Sequence, residues 1–122
     1  MKIEISDLRK IGVIQDEFNK LFPYLKIEFF ARPHTVGGAS PKRQMKFSGR
    51  TLGECRLIHK KGNITIRPDM TVEALEQSFY DIFGLSVQVF RKSGKVWLET
   101  TVTDSWTLEN QNMHGKELSK EI

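Results

Sequence analysis

The sequence has very little cysteine and no long apolar run, and each of these absences excludes a class of protein. Its one cysteine, Cys55, cannot form an internal disulfide or supply a cysteine-rich metal site. No run of about 18 apolar residues is present, so the sequence predicts no membrane span. Residues 1–10 lack the apolar stretch of a secretion signal. We therefore expect a cytoplasmic protein that has no membrane partner.

Motifs that would bind a metal, a cofactor or a nucleotide are also missing. The three histidines, His34, His59 and His114, are too scattered in sequence for a metal-ligand pattern. No glycine-rich loop has the spacing of a phosphate-binding motif. We therefore expect no cofactor, no metal, no catalytic residues and no enzymatic activity. A small cysteine-dependent enzyme is the remaining catalytic alternative, because Cys55 and His59 would share a helix face as a thiol and a base.

What the sequence does contain indicates one soluble domain. At 122 residues, with 39% hydrophobic and 28% charged residues, the chain can build one core. We expect a single α+β domain at 1–115 that includes a basic loop at 32–50, and a C-terminal tail at 116–122. The net charge is +4, but residues 32–61 carry eight Lys and Arg residues and only one acidic residue. This local excess of +7 favours association with anionic partners.

The hydrophobic pattern repeats a strand–helix–strand unit. An offset of 61 positions carries Ile3 onto Ile64 and Phe18 onto Phe79. After a one-residue slip, the following strands align as well. Their matching positions are Leu25, Ile27 and Phe29 in the first unit, and Leu85, Val87 and Val89 in the second. The order of elements therefore predicts two similar units in one domain.

Capping residues predict where the two helices begin and end. Ser6 or Asp7 can cap the first helix, which Pro23 ends. Thr71 can cap the second helix, and Gly84 can close it in the left-handed conformation. The apolar face of each helix has the 3.6-residue period of a helix with one buried side.

A hairpin and a last short helix follow the second unit. Ser93-Gly94 is the predicted tight turn, and alternating residues at 96–102 predict the returning strand. Asp104 or Ser105 can cap a helix that Gly115 would end.

The segment 51–60 has two predictions. Thr51 and Glu54 fit a capping box, which favours a short helix to about His59. A strand over 55–60, paired across Lys61-Gly62, is the alternative.

Two strand–helix–strand units predict a two-layer α+β sandwich. With the added hairpin strand and short helix, we expect a ferredoxin-like plan, with both helices on one face of a largely antiparallel sheet. A ubiquitin-like second half, built on a hairpin at 55–67, is the alternative.

The basic loop is the first candidate for a functional site. Lys42, Arg43, Lys46 and Arg50 lie within nine positions, with Phe47 among them. Cations pair with phosphates, and an aromatic ring stacks on a base. The sequence therefore predicts a non-catalytic binding module that contacts nucleic acid, or another polyanion such as an acidic protein, through these residues.

An aromatic sheet face is the second candidate. Phe30, Phe90 and Trp97 alternate out of phase with the core positions, so they share the opposite face. This face, or the free edge of the hairpin, predicts a protein-interaction or homodimerisation module; we expect a monomer or a weak homodimer. The alternative is that the last helix covers this face through Trp106 and Leu108.

Two sequence runs resemble a known family. VQVFRKSGKVWLETTVTDSWTLENQN at 87–112 and TLGECR at 51–56 are similar to a family of small uncharacterised bacterial cytosolic proteins. That family brings no assigned activity, cofactor or catalytic residue. The resemblance implies a bacterial, cytoplasmic, stand-alone domain and assigns no role to any position here.

Overall fold

The protein combines helices with two small antiparallel sheets. The computed structural model describes residues 1–31 and 45–120. These residues form five strands, β1 (Lys2–Ile5), β2 (Leu25–Phe30), β3 (Gly62–Thr65), β4 (Ser86–Ser93) and β5 (Val96–Glu99). They also form three helices, α1 (Ile11–Leu21), α2 (Val72–Phe83) and α3 (Leu108–Leu118), and a 3-10 turn at Leu52–Cys55. The predicted α+β class is therefore confirmed.

The strands do not form the single sheet that the ferredoxin-like plan predicted. β1 pairs with β3 in a two-stranded sheet, while β2, β4 and β5 form a second sheet in that order. All three pairings are antiparallel. The two strands of each unit therefore lie in different sheets. The hairpin of the ubiquitin-like alternative is also not formed, because β3 pairs with β1 and residues 56–61 form no strand.

The strand pairing follows the sequence repeat. Ile3 lies opposite Ile64 in the β1–β3 ladder, and these two residues correspond under the 61-residue offset. Glu28 lies opposite Gln88 in the β2–β4 ladder, and these correspond after the one-residue slip. An antiparallel ladder that places equivalent residues opposite each other has local two-fold symmetry. Each strand thus pairs with its counterpart in the other unit, and the two units interlock.

One hydrophobic core lies between the helices and the inner faces of both sheets. Phe29 of β2 meets Phe79 of α2 edge to face, with ring centroids 6.0 Å apart. Both sheets contribute fully buried residues, which include Ile3, Ile5, Leu25, Ile27, Ile64, Val87 and Val89. Apolar burial of this kind is the main stabilising term, and it fixes which face of each strand is turned inward.

The ends of α2 follow the predicted caps. The Ala74 amide donates to Thr71 Oγ1 at 3.0 Å, which satisfies a free amide of the first turn. Gly84 has φ 63° and closes the helix in the left-handed conformation. Two apolar residues that fit the predicted helical period are nevertheless exposed, Leu8 before α1 and Ile82 in α2.

The hairpin turn and the start of α3 differ slightly from prediction. The turn residues are Gly94-Lys95, one position later than expected, and Gly94 has φ 62°. The N-cap of α3 is Thr107, whose side chain accepts from a first-turn amide, and not Asp104 or Ser105. β5 ends at Glu99 and does not reach residue 102, because residues 101–106 form bends and turns.

Gly115 does not end α3, because the helix continues through 116–118. Those residues belong to the helix and not to the predicted tail. A Cβ at Gly115 would lie 2.9 Å from Tyr24 Cβ and 3.2 Å from the Lys92 carbonyl oxygen. The glycine therefore lets α3 approach the sheet closely. Within the two described ranges, no helix is both long enough and apolar enough to cross a membrane.

Candidate polyanion-binding site

A tight turn at 47–50 carries the described part of the predicted basic loop. The Arg50 amide donates to the Phe47 carbonyl at 3.0 Å, which closes the turn. Just before it, the Lys46 amide donates to the Phe29 carbonyl at 2.7 Å, and Met45 forms a bridge with Phe30. The chain therefore enters the turn along the edge of β2.

The turn is also anchored to the start of α1. Neither Ser6 nor Asp7 caps this helix, contrary to prediction, and no other described side chain does so. The first two helical amides instead donate to the backbone carbonyls of Arg50 and Ser48, each at 2.9 Å. These carbonyls satisfy amides that a helix otherwise leaves free. The helix start and the turn therefore hold each other in place.

Phe47 projects into solvent from this anchored turn. Its side chain is 80% exposed, although the backbone on both sides of it is hydrogen-bonded to β2 and α1. Lys46 precedes it and Arg50 closes the turn. Lys10, just before α1, is brought alongside by a bridge to Thr51. The backbone contacts therefore bring one exposed aromatic residue and three cationic residues close together.

The charges on this surface are only partly neutralised. Arg50 forms an exposed ion pair with Glu54, with 3.2 Å between Nη1 and Oε2. The pKa of Glu54 is lowered, chiefly by a hydrogen bond from the Thr51 side chain. The Thr51 backbone amide and the Arg50 side chain lower it further, so Glu54 is ionised at neutral pH. Lys10 and Lys46 form no ion pair with any described residue. Lys42 and Arg43 lie outside the described residues.

The segment after Thr51 forms neither of the two predicted structures in full. The 3-10 turn ends at Cys55, so the helix does not reach His59, and no strand takes its place. The Thr51 amide does donate to Glu54 Oε1 at 3.4 Å, as the capping box requires. The chain becomes extended at Arg56, whose side chain pairs with Asp7.

Arg56 links three parts of the chain. Its guanidinium is completely buried, and it donates twice to Asp7 Oδ1, at 2.9 and 3.1 Å. It also donates to the carbonyl of Phe83 at the end of α2. His59 Nδ1 lies 2.9 Å from Asp7 Oδ2. Burial alone would raise the pKa of Asp7, but the hydrogen bonds from Arg56 and His59 outweigh it and lower that pKa.

Cys55 and His59 are not brought together. Cys55 Sγ donates to the Thr51 carbonyl oxygen at 3.4 Å, whereas His59 contacts Asp7. Burial raises the pKa of the Cys55 thiol, although the nearby cation Lys46 acts in the opposite direction. A raised pKa leaves less thiolate at neutral pH, and thiolate is the nucleophilic form. The arrangement therefore lacks the thiol–base contact that cysteine catalysis uses.

The aromatic sheet face is partly occupied by the chain itself. Phe30 is only 2% exposed, so it is not available to a partner. Phe90 and Trp97 are half-buried, and the Lys26 ammonium lies 5.5 Å and 5.1 Å from their ring centroids. Glu28 pairs with the same lysine at 3.4 Å. A ligand that stacked on these rings would have to displace Lys26.

α3 does not cover this face, contrary to the alternative that we considered. Trp106 contacts His114, with ring centroids 5.3 Å apart, and Arg91 at 6.0 Å. Arg91 points to the opposite side of β4 from Phe90, because side chains alternate along a strand. Trp106 therefore lies on the side of the sheet opposite to the aromatic face. Leu108 is buried in the main core.

Neither a metal centre nor a relative indicates a function. Across residues 1–31 and 45–120, no group of three or more His, Cys, Asp or Glu residues is arranged to hold a metal ion. No protein-family model, no curated protein and no solved structure matches the chain. The surface around Phe47 combines an exposed aromatic ring with neighbouring cations, and a function can be inferred from it.

Sequence reasoning missed Lys10 as a member of this surface. Lys10 stands forty positions before Arg50, and only the backbone contacts between α1 and the turn bring the two together. No local signal marks such a residue, because a single lysine before a helix is an ordinary solvated side chain.

Proposed function

We propose that this chain is a non-catalytic binding module that contacts nucleic acid, or another polyanion, through the turn at 47–50. The observation that carries the proposal is the 80% exposed ring of Phe47 on a hydrogen-bonded turn between Lys46 and Arg50. The resemblance to bacterial cytosolic proteins suggests the bacterial cytoplasm as its setting.

Rigidity of the turn supports the proposal. Isolated exposed apolar residues are common on protein surfaces and need no explanation. Phe47 differs because the backbone around it is already ordered by contacts with β2 and α1. A ligand that binds there does not have to order a flexible loop, which is a cost that weakens many interactions. The backbone that carries the ring is therefore preorganised for contact.

Charge supports the proposal as well. Lys10 and Lys46 form no ion pair within the described chain, and the Arg50–Glu54 pair is solvent-exposed. Exposed pairs are weakened by water and salt, so a phosphate can replace the carboxylate at Arg50. Binding of phosphates releases counterions, which makes such affinity depend on salt. The flanking aromatic adds a stacking surface that any base can use.

The test is to change the two described cations that flank the ring. Fluorescence anisotropy with a labelled single-stranded oligonucleotide would measure affinity against salt concentration for the unmodified protein and for Lys46→Ala/Arg50→Ala. A plot of log affinity against log salt has a negative slope, and its magnitude should decrease by about 0.7 for each cation removed. A control variant, Lys20→Ala/Lys116→Ala, removes the same charge from exposed positions elsewhere on the chain.

The two variants separate local contact from net charge. We expect the control to keep the salt slope of the unmodified protein, and circular dichroism to show that both variants remain folded. If the unmodified protein does not bind at low salt, or if the two variants bind equally, the proposed function is wrong.

A further inference from the structure

The free edge of β5 carries an inference independent of nucleic-acid binding. β5 is the last strand of its sheet, and its outer edge pairs with no other described strand. Unpaired strand edges offer backbone groups to a further strand. We propose that this edge pairs with the same edge of a second copy of the chain, in an antiparallel register centred on Trp97.

The hairpin geometry determines which backbone groups point outward. Ser93 and Val96 flank a two-residue turn, so they form a hydrogen-bonded pair. Hydrogen-bonded and non-bonded pairs alternate along an antiparallel ladder. The backbone groups of Val96 and Leu98 therefore point to β4, whereas those of Trp97 and Glu99 point to the free edge.

Outward groups at Trp97 permit a two-fold pairing centred on that residue. Trp97 would lie opposite Trp97 of the second copy and exchange two backbone hydrogen bonds with it. Glu99 would lie opposite Lys95, the turn residue that precedes β5 in the second copy, and the symmetry repeats this pair. Val96 would lie opposite Leu98. The register thus joins opposite charges twice and apolar side chains twice.

Other registers lose this complementarity. A two-fold centred on Leu98 places Glu99 opposite Trp97 and Lys95 opposite Thr101, so neither charge has a partner of opposite sign. A parallel, in-register pairing places Lys95 opposite Lys95 and Glu99 opposite Glu99. Like charges directly opposite each other are destabilising. The charges of Glu99 in β5 and of the turn residue Lys95 therefore favour the register centred on Trp97.

The exposure of the strand agrees with this partner. Val96 and Leu98 are 56% and 42% exposed, and the second copy would cover apolar area that the described chain leaves in water. Lys95 and Glu99 are exposed and form no ion pair with any described residue. Strands of four residues make a small interface, so we expect a weak dimer.

Charge reversal tests the register. Sedimentation equilibrium up to about 1 mM protein would compare the unmodified chain with Lys95→Glu, Glu99→Lys and the double variant. Each single variant turns two attractive pairs into two repulsive pairs, and it should weaken dimerisation by at least about fivefold. The double variant restores opposite charges at both positions and should recover the dimer. Lys20→Glu is the matched control, because it changes the same charge on α1 and should leave the dimer unchanged.

Two results would overturn the proposed dimer. The first is an unmodified chain that stays monomeric at all concentrations, and the second is a double variant that stays monomeric while its circular dichroism is native. A disulfide formed between two copies of Trp97→Cys in a Cys55→Ala background would support the register, since paired strands bring these Cα atoms about 5.5 Å apart. Lys61→Cys in the same background is the control and should not form a cross-link. If Lys61→Cys and Trp97→Cys cross-link equally, the register centred on Trp97 is not supported.

Discussion

Replacing Phe47 by Ala should weaken nucleic-acid binding without changing stability. Stacking of one base on an aromatic ring contributes about 1–3 kcal/mol, so the loss corresponds to about a 5- to 150-fold increase in Kd. Because the side chain is 80% exposed, its removal leaves no cavity. The free energy of unfolding should therefore change by less than about 0.5 kcal/mol. In contrast, Phe79→Ala in the core should cost about 3–5 kcal/mol.

The assay combines oligonucleotide anisotropy with urea unfolding. Phe47→Ala should raise Kd equally at every salt concentration, because the ring releases no counterions and the slope depends on Lys46 and Arg50. Phe47→Tyr keeps a ring and should retain affinity, whereas Phe47→Leu keeps apolar area without a ring and should lose it. If Phe47→Leu binds as tightly as the unmodified chain, stacking is not the interaction. If affinity is unchanged in Phe47→Ala as well, the reasoning about this turn is refuted.

Two further predictions concern stability. Gly115→Ala should destabilise the fold by about 1–3 kcal/mol in a urea titration, because the new methyl group would lie 2.9 Å from Tyr24 Cβ. This cost should outweigh the helix propensity of alanine. Gly49→Ala is the control, because its Cβ would have open space and stability should not change. Because folding lowers the pKa of Asp7, its ionised form stabilises the folded state at pH values above 3.8, the ordinary pKa. This stabilisation is lost as the pH falls through the lowered pKa of the folded state. The melting temperature, measured from pH 7 to pH 2, should therefore fall less for Asp7→Asn than for the unmodified chain. If the two chains lose the same stability on acidification, the contact of Asp7 with Arg56 does not contribute to acid sensitivity.

The elements of the second unit were predictable because their signals are local. A threonine hydroxyl at Thr71 and a left-handed glycine at Gly84 act on backbone groups within one turn, so their roles do not depend on distant residues. The start of α1 was predicted wrongly because no described side chain caps it. At both helices the first two amides also donate to carbonyls that are close only after folding, those of Arg50 and Ser48 at α1 and those of Trp106 and Asp104 at α2.

The candidate site was predictable in composition but not in form. A basic segment with Phe47 is visible in sequence, but Lys10 joins it only through the contact between α1 and the turn. Phe30 shares the alternation of Phe90 and Trp97, yet it is buried while they are half-exposed. Alternation identifies the face of a sheet to which a residue belongs, but it does not show what covers that face.

By itself, the sequence determined the α+β class, the repeated unit and the caps of α2, because periodicity and capping are interactions between near neighbours in the chain. Only the tertiary structure decided that each strand pairs with its counterpart in the other unit, as Ile3 does with Ile64. Strand pairing depends on which edges meet when one core is buried, and the same alternating pattern is compatible with several partners.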